Sequence, residues 1–132
     1  MDLEEELEGW GAQECYFLLA VIHEMLGKDG VGFQEESIYW CEPLVLRLWR
    51  DDPGLVVQIL QMLRDDLRAH DVSLLYVLYA NAPSTHEEQI NAAFDDIVRQ
   101  HAEVMWPALR QAVADRVVGW QRIYRVLFEL HR

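Results

Sequence analysis

Residues 72 to 80, Val-Ser-Leu-Leu-Tyr-Val-Leu-Tyr-Ala, are apolar or aromatic apart from Ser73. Such a run has no polar face to leave in water, so it must be buried, as strand or as helix. A lone strand would leave its backbone amides and carbonyls unpaired, and no other segment of the chain offers it a partner. The run is therefore predicted to be a buried helix, ended by Asn81-Ala82-Pro83. It is the longest apolar stretch and falls far short of a bilayer span.

The flanking sequence has the spacing of further helices. From Ala12 to Leu26, residues Phe17, Leu18, Val21, Ile22 and Met25 form one broad apolar face, and Gly27 is a natural stop; an earlier start through Leu3, Leu7 and Trp10 is compatible with the pattern. Gly27 to Gly32 reads as a connector, because its glycines lack the order of a phosphate-cradling loop. Pro43 is expected to break the next segment, leaving a short turn near Ile38 to Cys41 and a helix that starts at Pro43. Asp52-Pro53 is a start signal, with the Asp side chain accepting from the first turn and Leu55, Val56, Ile59, Leu60, Leu63 and Leu67 facing inward. Ser84 to Glu87 has capping-box spacing for a helix running to about Val104, with Ile90, Ala93, Phe94, Ile97, Val98 and His101 inside. Trp106-Pro107 is expected to restart the chain into one last helix through Leu109, Val113, Val117, Trp120, Tyr124 and Leu127. The expected fold is all-α, a single compact bundle of six to seven helices over residues 1–132.

Charge and chemistry narrow the function. The net charge of −12 is uneven: residues 1–42 carry eleven acids against Lys28, residues 43–98 sum to −5 and residues 99–132 to +3. Nucleic-acid binding needs clustered cations, so that class is excluded, and no membrane anchor or signal-peptide start is expected. Cys15 and Cys41 have no metal spacing and read as buried free thiols, although the spacing does not exclude a bridge between them. His23, His70, His86, His101 and His131 form no H-E-x-x-H or Glu-x-x-His pattern, so they read as surface or edge histidines, and no metal or cofactor is expected. The pairs Asp51-Asp52, Asp65-Asp66 and Asp95-Asp96 lie on expected helix starts or solvent faces. With no converging nucleophile, base and orienting group, the chain is expected not to be an enzyme. Five tryptophans exceed the core needs of a chain this size, which favours a protein-binding surface; Trp10, Trp40, Trp49 and Trp106 are the candidates, with Tyr39 beside them.

The last helix carries a family likeness. Trp120-x-x-x-Tyr124-x-Val126-Leu127-Phe128-x-Leu130 resembles the Trp-x-x-x-aromatic-x-Ile-Leu-Phe-x-Met segment of the short poxviral Bcl-2-like immune modulators. Leu18-Leu19, the turn at Asp51-Asp52, Leu55, Ile59 to Met62 and the polar helix from Glu87 follow in a similar order. A second register sets Gly119-Trp120-Gln121-Arg122 against the Asn-Trp-Gly-Arg motif of cellular Bcl-2 survival proteins, so that Arg122 would match the Arg that pairs with an Asp of a bound pro-death helix. There Gly119 replaces the Asn, and Gln121 replaces the Gly that admits the ligand helix. The poxviral register agrees better with chain length, helix order and the missing membrane tail, and in it Trp120, Tyr124 and Leu127 are core positions.

The resemblance implies a Bcl-2-like helical domain without catalytic activity in the host cytoplasm. It further implies binding to host innate-signalling or apoptotic proteins, inhibition of NF-κB activation, and a homodimer. The alternative reading is an acidic bacterial or phage antagonist, a toxin-immunity protein or anti-activator, that masks a basic protein target.

Overall fold

In a computed structural model, residues 8–26 and 35–130 are described, and they form seven α-helices with no strand among them. These are α1 (Ala12–Leu26), α2 (Glu35–Asp51), α3 (Pro53–Asp65), α4 (Asp71–Ala80), α5 (Glu87–Gln100), α6 (Ala102–Ala114) and α7 (Trp120–Leu130). The helix start through Leu3 and Leu7 and the connector Gly27 to Gly32 lie outside the described residues. None of the described helices is long and apolar enough to cross a membrane.

The apolar run is the axis of the structure. Asp71 to Tyr79 of α4 are all buried, and the helix touches α2, α3, α5, α6 and α7. A helix with no polar side is stable only when neighbours cover it all round, which is what these five do. Helices α3 and α5 present the faces expected of them: Leu55, Val56, Ile59, Leu60 and Leu63 on one, Ile90, Phe94, Ile97 and Val98 on the other.

Several local expectations are corrected. Pro43 does not start a helix; α2 runs straight through it. Proline removes one backbone bond, to Tyr39, which is 70% exposed, while Cys41, Leu44, Val45, Leu48 and Trp49 bury a continuous stripe. That stripe outweighs the missing bond. Asp52 makes no side-chain cap; its carbonyl instead accepts from the Leu55 amide at 3.0 Å. Ser84–His86 is a 3₁₀ turn without side-chain capping, not a capping box.

Three further differences concern the last third and the first helix. The chain breaks at His101 (φ −120°, ψ 42°), whose carbonyl accepts from Val104 at 3.1 Å and Met105 at 3.0 Å, so α6 starts ahead of Trp106-Pro107 and contains Pro107. The expected single last helix is two. Arg116, at φ 51°, closes α6 in a left-handed cap with Val117 N–H donating to the Ala112 carbonyl (3.0 Å), and buried Val117 anchors it. On α7 the buried positions are Ile123 and Val126, and Tyr124 is 55% exposed rather than core. On α1 they are Ala12, Cys15, Leu19 and His23, whereas Phe17 and Met25 point outward. Apolar residues ring α1 almost completely, so spacing alone did not select the face.

The turn between α6 and α7 lies directly on α4. The Tyr76 hydroxyl donates to the Val118 carbonyl at 2.9 Å, and a Cβ on Gly119 (φ 89°) would stand 2.7 Å from the Ala80 Cβ. Arg125 ties α7 to two other helices, donating to the Tyr79 hydroxyl (2.7 Å from Nη2) and to Asp95 (2.9 Å), with Glu129 at 2.8 Å on its own helix.

Candidate protein-interaction surface

The amphipathic faces of α3 and α5 meet the core side by side and leave an apolar groove of about 650 Å³ between them. Val56, Leu60, Ile90 and Ile97 line it, and Val57, 59% exposed, stands at its edge. One end is built by Trp49 from α2. Its indole N–H donates to the Leu78 carbonyl of α4 (3.2 Å), and its ring stacks on His86 with centroids 5.6 Å apart. That hydrogen bond satisfies the only polar atom of a ring that is otherwise buried, which fixes its orientation.

The other end is polar. Arg64 of α3 pairs with Asp96 of α5 at 3.0 Å, and the His101 Nε2–H donates to the Arg64 carbonyl at 2.9 Å. Both Arg64 and Asp96 are about half exposed (57% and 47%), so the pair is screened and contributes at most about 1 kcal/mol. It can be exchanged for contacts to a ligand at little cost. The whole is an apolar trough with an aromatic head and an ionic foot, the form that accepts an amphipathic helix.

A second concavity, of about 840 Å³, lies between α1 and α3 and is lined by Trp10, Phe17, Val21 and Leu55 among others. The Arg47 guanidinium holds its upper edge by donating to the Trp10 carbonyl at 2.6 Å.

The five residues singled out in the sequence are thus dispersed. Trp49 lines the first groove and Trp10 the second; Trp40 borders a small cavity of about 40 Å³ at the α1–α2–α4 junction; Trp106 packs half-buried against the core. Arg122 lines none of these. It donates to the Ala82 carbonyl (3.1 Å) and lies over the Tyr79 ring, 4.8 Å from its centroid, with Nη2 buried and unpartnered. Each aspartate pair has at least one member held by an arginine: Asp51 by Arg50, Asp66 by Arg68, and Asp95 and Asp96 by Arg125 and Arg64. An exposed aromatic pair, Tyr124 and Phe128, stacks on the outer side of α7 with centroids 6.5 Å apart.

One polar cluster escaped the sequence reading. His23 is no surface histidine: it is 2% exposed, and its Nδ1–H donates to Asp71 Oδ2 at 2.7 Å. The same oxygen accepts from the Arg68 backbone amide at 2.9 Å, and His70 Nε2 lies 3.2 Å from the other carboxylate oxygen. The available signal was Asp71 itself, a charged residue at the head of a run that must be buried, which requires partners. Cys15 and Cys41 are free and buried; burial, with the Asp71 charge added to it, pushes the Cys41 thiol up to about 12, so it stays protonated and unreactive.

No family model, curated protein or solved structure matches the chain.

Proposed function

We propose that this chain is a non-enzymatic viral modulator of innate immunity, a Bcl-2-like domain that seats an amphipathic helix of a host signalling or apoptotic protein in the α3–α5 groove and so inhibits NF-κB activation. The observation that carries the reading is the groove itself. Its floor is apolar, Trp49 closes one end and the Arg64–Asp96 pair bounds the other, and its two walls pack on a central helix enclosed by its neighbours. An incoming helix with apolar residues at i, i+3, i+4 and i+7 would cover Val57 and Leu60, and its charges would exchange with the Arg64–Asp96 pair. The charged residues that line the groove, Arg64 and Asp96, are of opposite sign, which suits a partner of mixed charge.

The reading is tested in two steps. Labelled helical peptides from innate-signalling adaptors, kinases and pro-death proteins are titrated with the purified chain, and an NF-κB reporter is measured in cells that express it. Val57→Glu, at a half-exposed groove edge, is expected to abolish both effects while leaving the melting temperature within a degree or two. Absence of any binding tighter than about 100 μM would remove the proposal, since specific recognition is ordinarily stronger. Sedimentation at micromolar concentration reports whether the chain also forms the homodimer that the family likeness implies.

A further inference from the structure

The structure points to a second site, independent of the groove: we propose that His23, His70 and Asp71 together bind one zinc-class divalent ion between α1 and the start of α4. One ligand atom from each of the three lies within 4.8 Å of the other two. Zinc bonds of about 2.0–2.2 Å to imidazole nitrogen and carboxylate oxygen place tetrahedral ligand atoms about 3.3–3.5 Å apart. The His70 Nε2 to Asp71 Oδ1 separation of 3.2 Å is close to that value already. The His23 Nδ1 to Asp71 Oδ2 hydrogen bond of 2.7 Å must open by about 0.6 Å to admit the ion, within reach of small side-chain rotations.

Three observations distinguish this arrangement from a simple buried ion pair. His70 is only 11% exposed, yet both of its ring nitrogens are buried without a hydrogen-bond partner; Nε2 is near the Asp71 carboxylate but misaligned with it. A buried imidazole with no bond at either nitrogen is costly unless something other than the neighbouring side chains takes a lone pair. The ligand carboxylate is also held in place: Asp71 Oδ2 accepts from the Arg68 backbone amide at 2.9 Å. A donor placed on a ligating carboxylate in this way fixes its orientation. Finally, the three residues border the 40 Å³ cavity whose remaining wall includes Leu19, Ile22 and Leu74. It has room for one ion and a water that would complete the tetrahedral set, in surroundings that exclude bulk water.

Binding requires that the His23 Nδ1 give up its proton. A carboxylate can only accept, so His23 holds its proton on Nδ1 in the metal-free state, and that proton leaves or moves to Nε2 when the ion takes the lone pair. The chain, stripped of metal with a chelator, is titrated with zinc alone against a chromophoric chelator near neutral pH, and cobalt is substituted as a spectroscopic probe. One ion per chain is expected, with submicromolar affinity and a cobalt d–d band of tetrahedral intensity. His70→Ala is expected to abolish the band. His70→Gln, which keeps a polar side chain of similar reach but removes the imidazole, is expected to weaken zinc at least about tenfold. Failure to bind below about 10 μM, or binding that neither substitution changes, overturns the proposal, because the ion would then sit on surface groups. Should His70→Ala not fold, His70→Gln decides alone.

Discussion

Gly119→Ala puts a number on how closely the α6–α7 turn is pressed onto the central helix. A Cβ there would lie 2.7 Å from the Ala80 Cβ, 3.8 Å from the Ala80 Cα and 3.8 Å from the Tyr76 hydroxyl. Carbon atoms prefer about 3.5–4.0 Å, so the overlap approaches 1 Å, and it falls on a helix side chain with no rotamer to change. Overpacking of this kind costs about 1–3 kcal/mol. The backbone adds to it: φ is 89° at Gly119, and a left-handed conformation costs an L-residue about 1–2 kcal/mol. Alanine also stiffens the unfolded chain, which returns about 0.4–1 kcal/mol. The expected net loss is about 2–4 kcal/mol, read as a lower midpoint in urea with unchanged slope.

The two contributions separate in a double-mutant cycle. Ala80→Gly alone removes the opposing methyl and costs about 0.5–1 kcal/mol through helix entropy. Combined with Gly119→Ala, it is expected to recover about 1–3 kcal/mol relative to the sum, leaving only the backbone part. A loss below about 0.5 kcal/mol for Gly119→Ala would refute the whole argument. Strict additivity would refute the contact with Ala80 and leave the φ argument standing.

Two other perturbations follow from the same contacts. Arg125→Lys is expected to destabilise by about 1.5–3 kcal/mol, nearly as much as Arg125→Ala, because an ammonium cannot reach Tyr79, Asp95 and Glu129 together as the guanidinium fork does; thermal melts of both variants check this. Burial pushes the Tyr76 hydroxyl up to about 12 from its usual 10. A group whose pKa is raised on folding gives stability that is complete below its unfolded value, so stability is expected to fall as the pH rises from about 10 to 12, by about 2–3 kcal/mol in all. Tyr76→Phe is expected to flatten that alkaline limb, and equal slopes in the two proteins would show that another group is responsible.

What the sequence disclosed depended on how one-sided each segment is. Helices α3 and α5 have a single apolar stripe, and most of the residues expected inside are there; Leu67 and His101 fall beyond the helix ends and, like Ala93, are only partly buried. Helix α1 is apolar nearly all round, and only packing decided that Cys15 and Leu19 face inward and Phe17 outward. Pro43 was read by its local chemistry, which the buried side of α2 overrides. The break at His101 had no glycine or proline to announce it; at the second break Gly119, with φ 89°, was the available signal, immediately ahead of α7. Of the groove, Trp49 was visible as a candidate, but its opening is made by two helices whose separation no periodicity encodes. His23 and Asp71 are 48 residues apart, and nothing in either neighbourhood points to the other.

The enclosure of α4 on every side also makes it an internal gauge of opening. The amides of an outer helix can exchange with solvent deuterium when that helix alone frays, whereas those of Leu75 to Tyr79 can do so only after several covering helices have moved away. The slowest-exchanging amides should therefore lie within α4, and the free energy they report should equal the stability of the whole domain. A ligand held at either proposed site would then slow exchange at Leu75 to Tyr79, none of which lines either site.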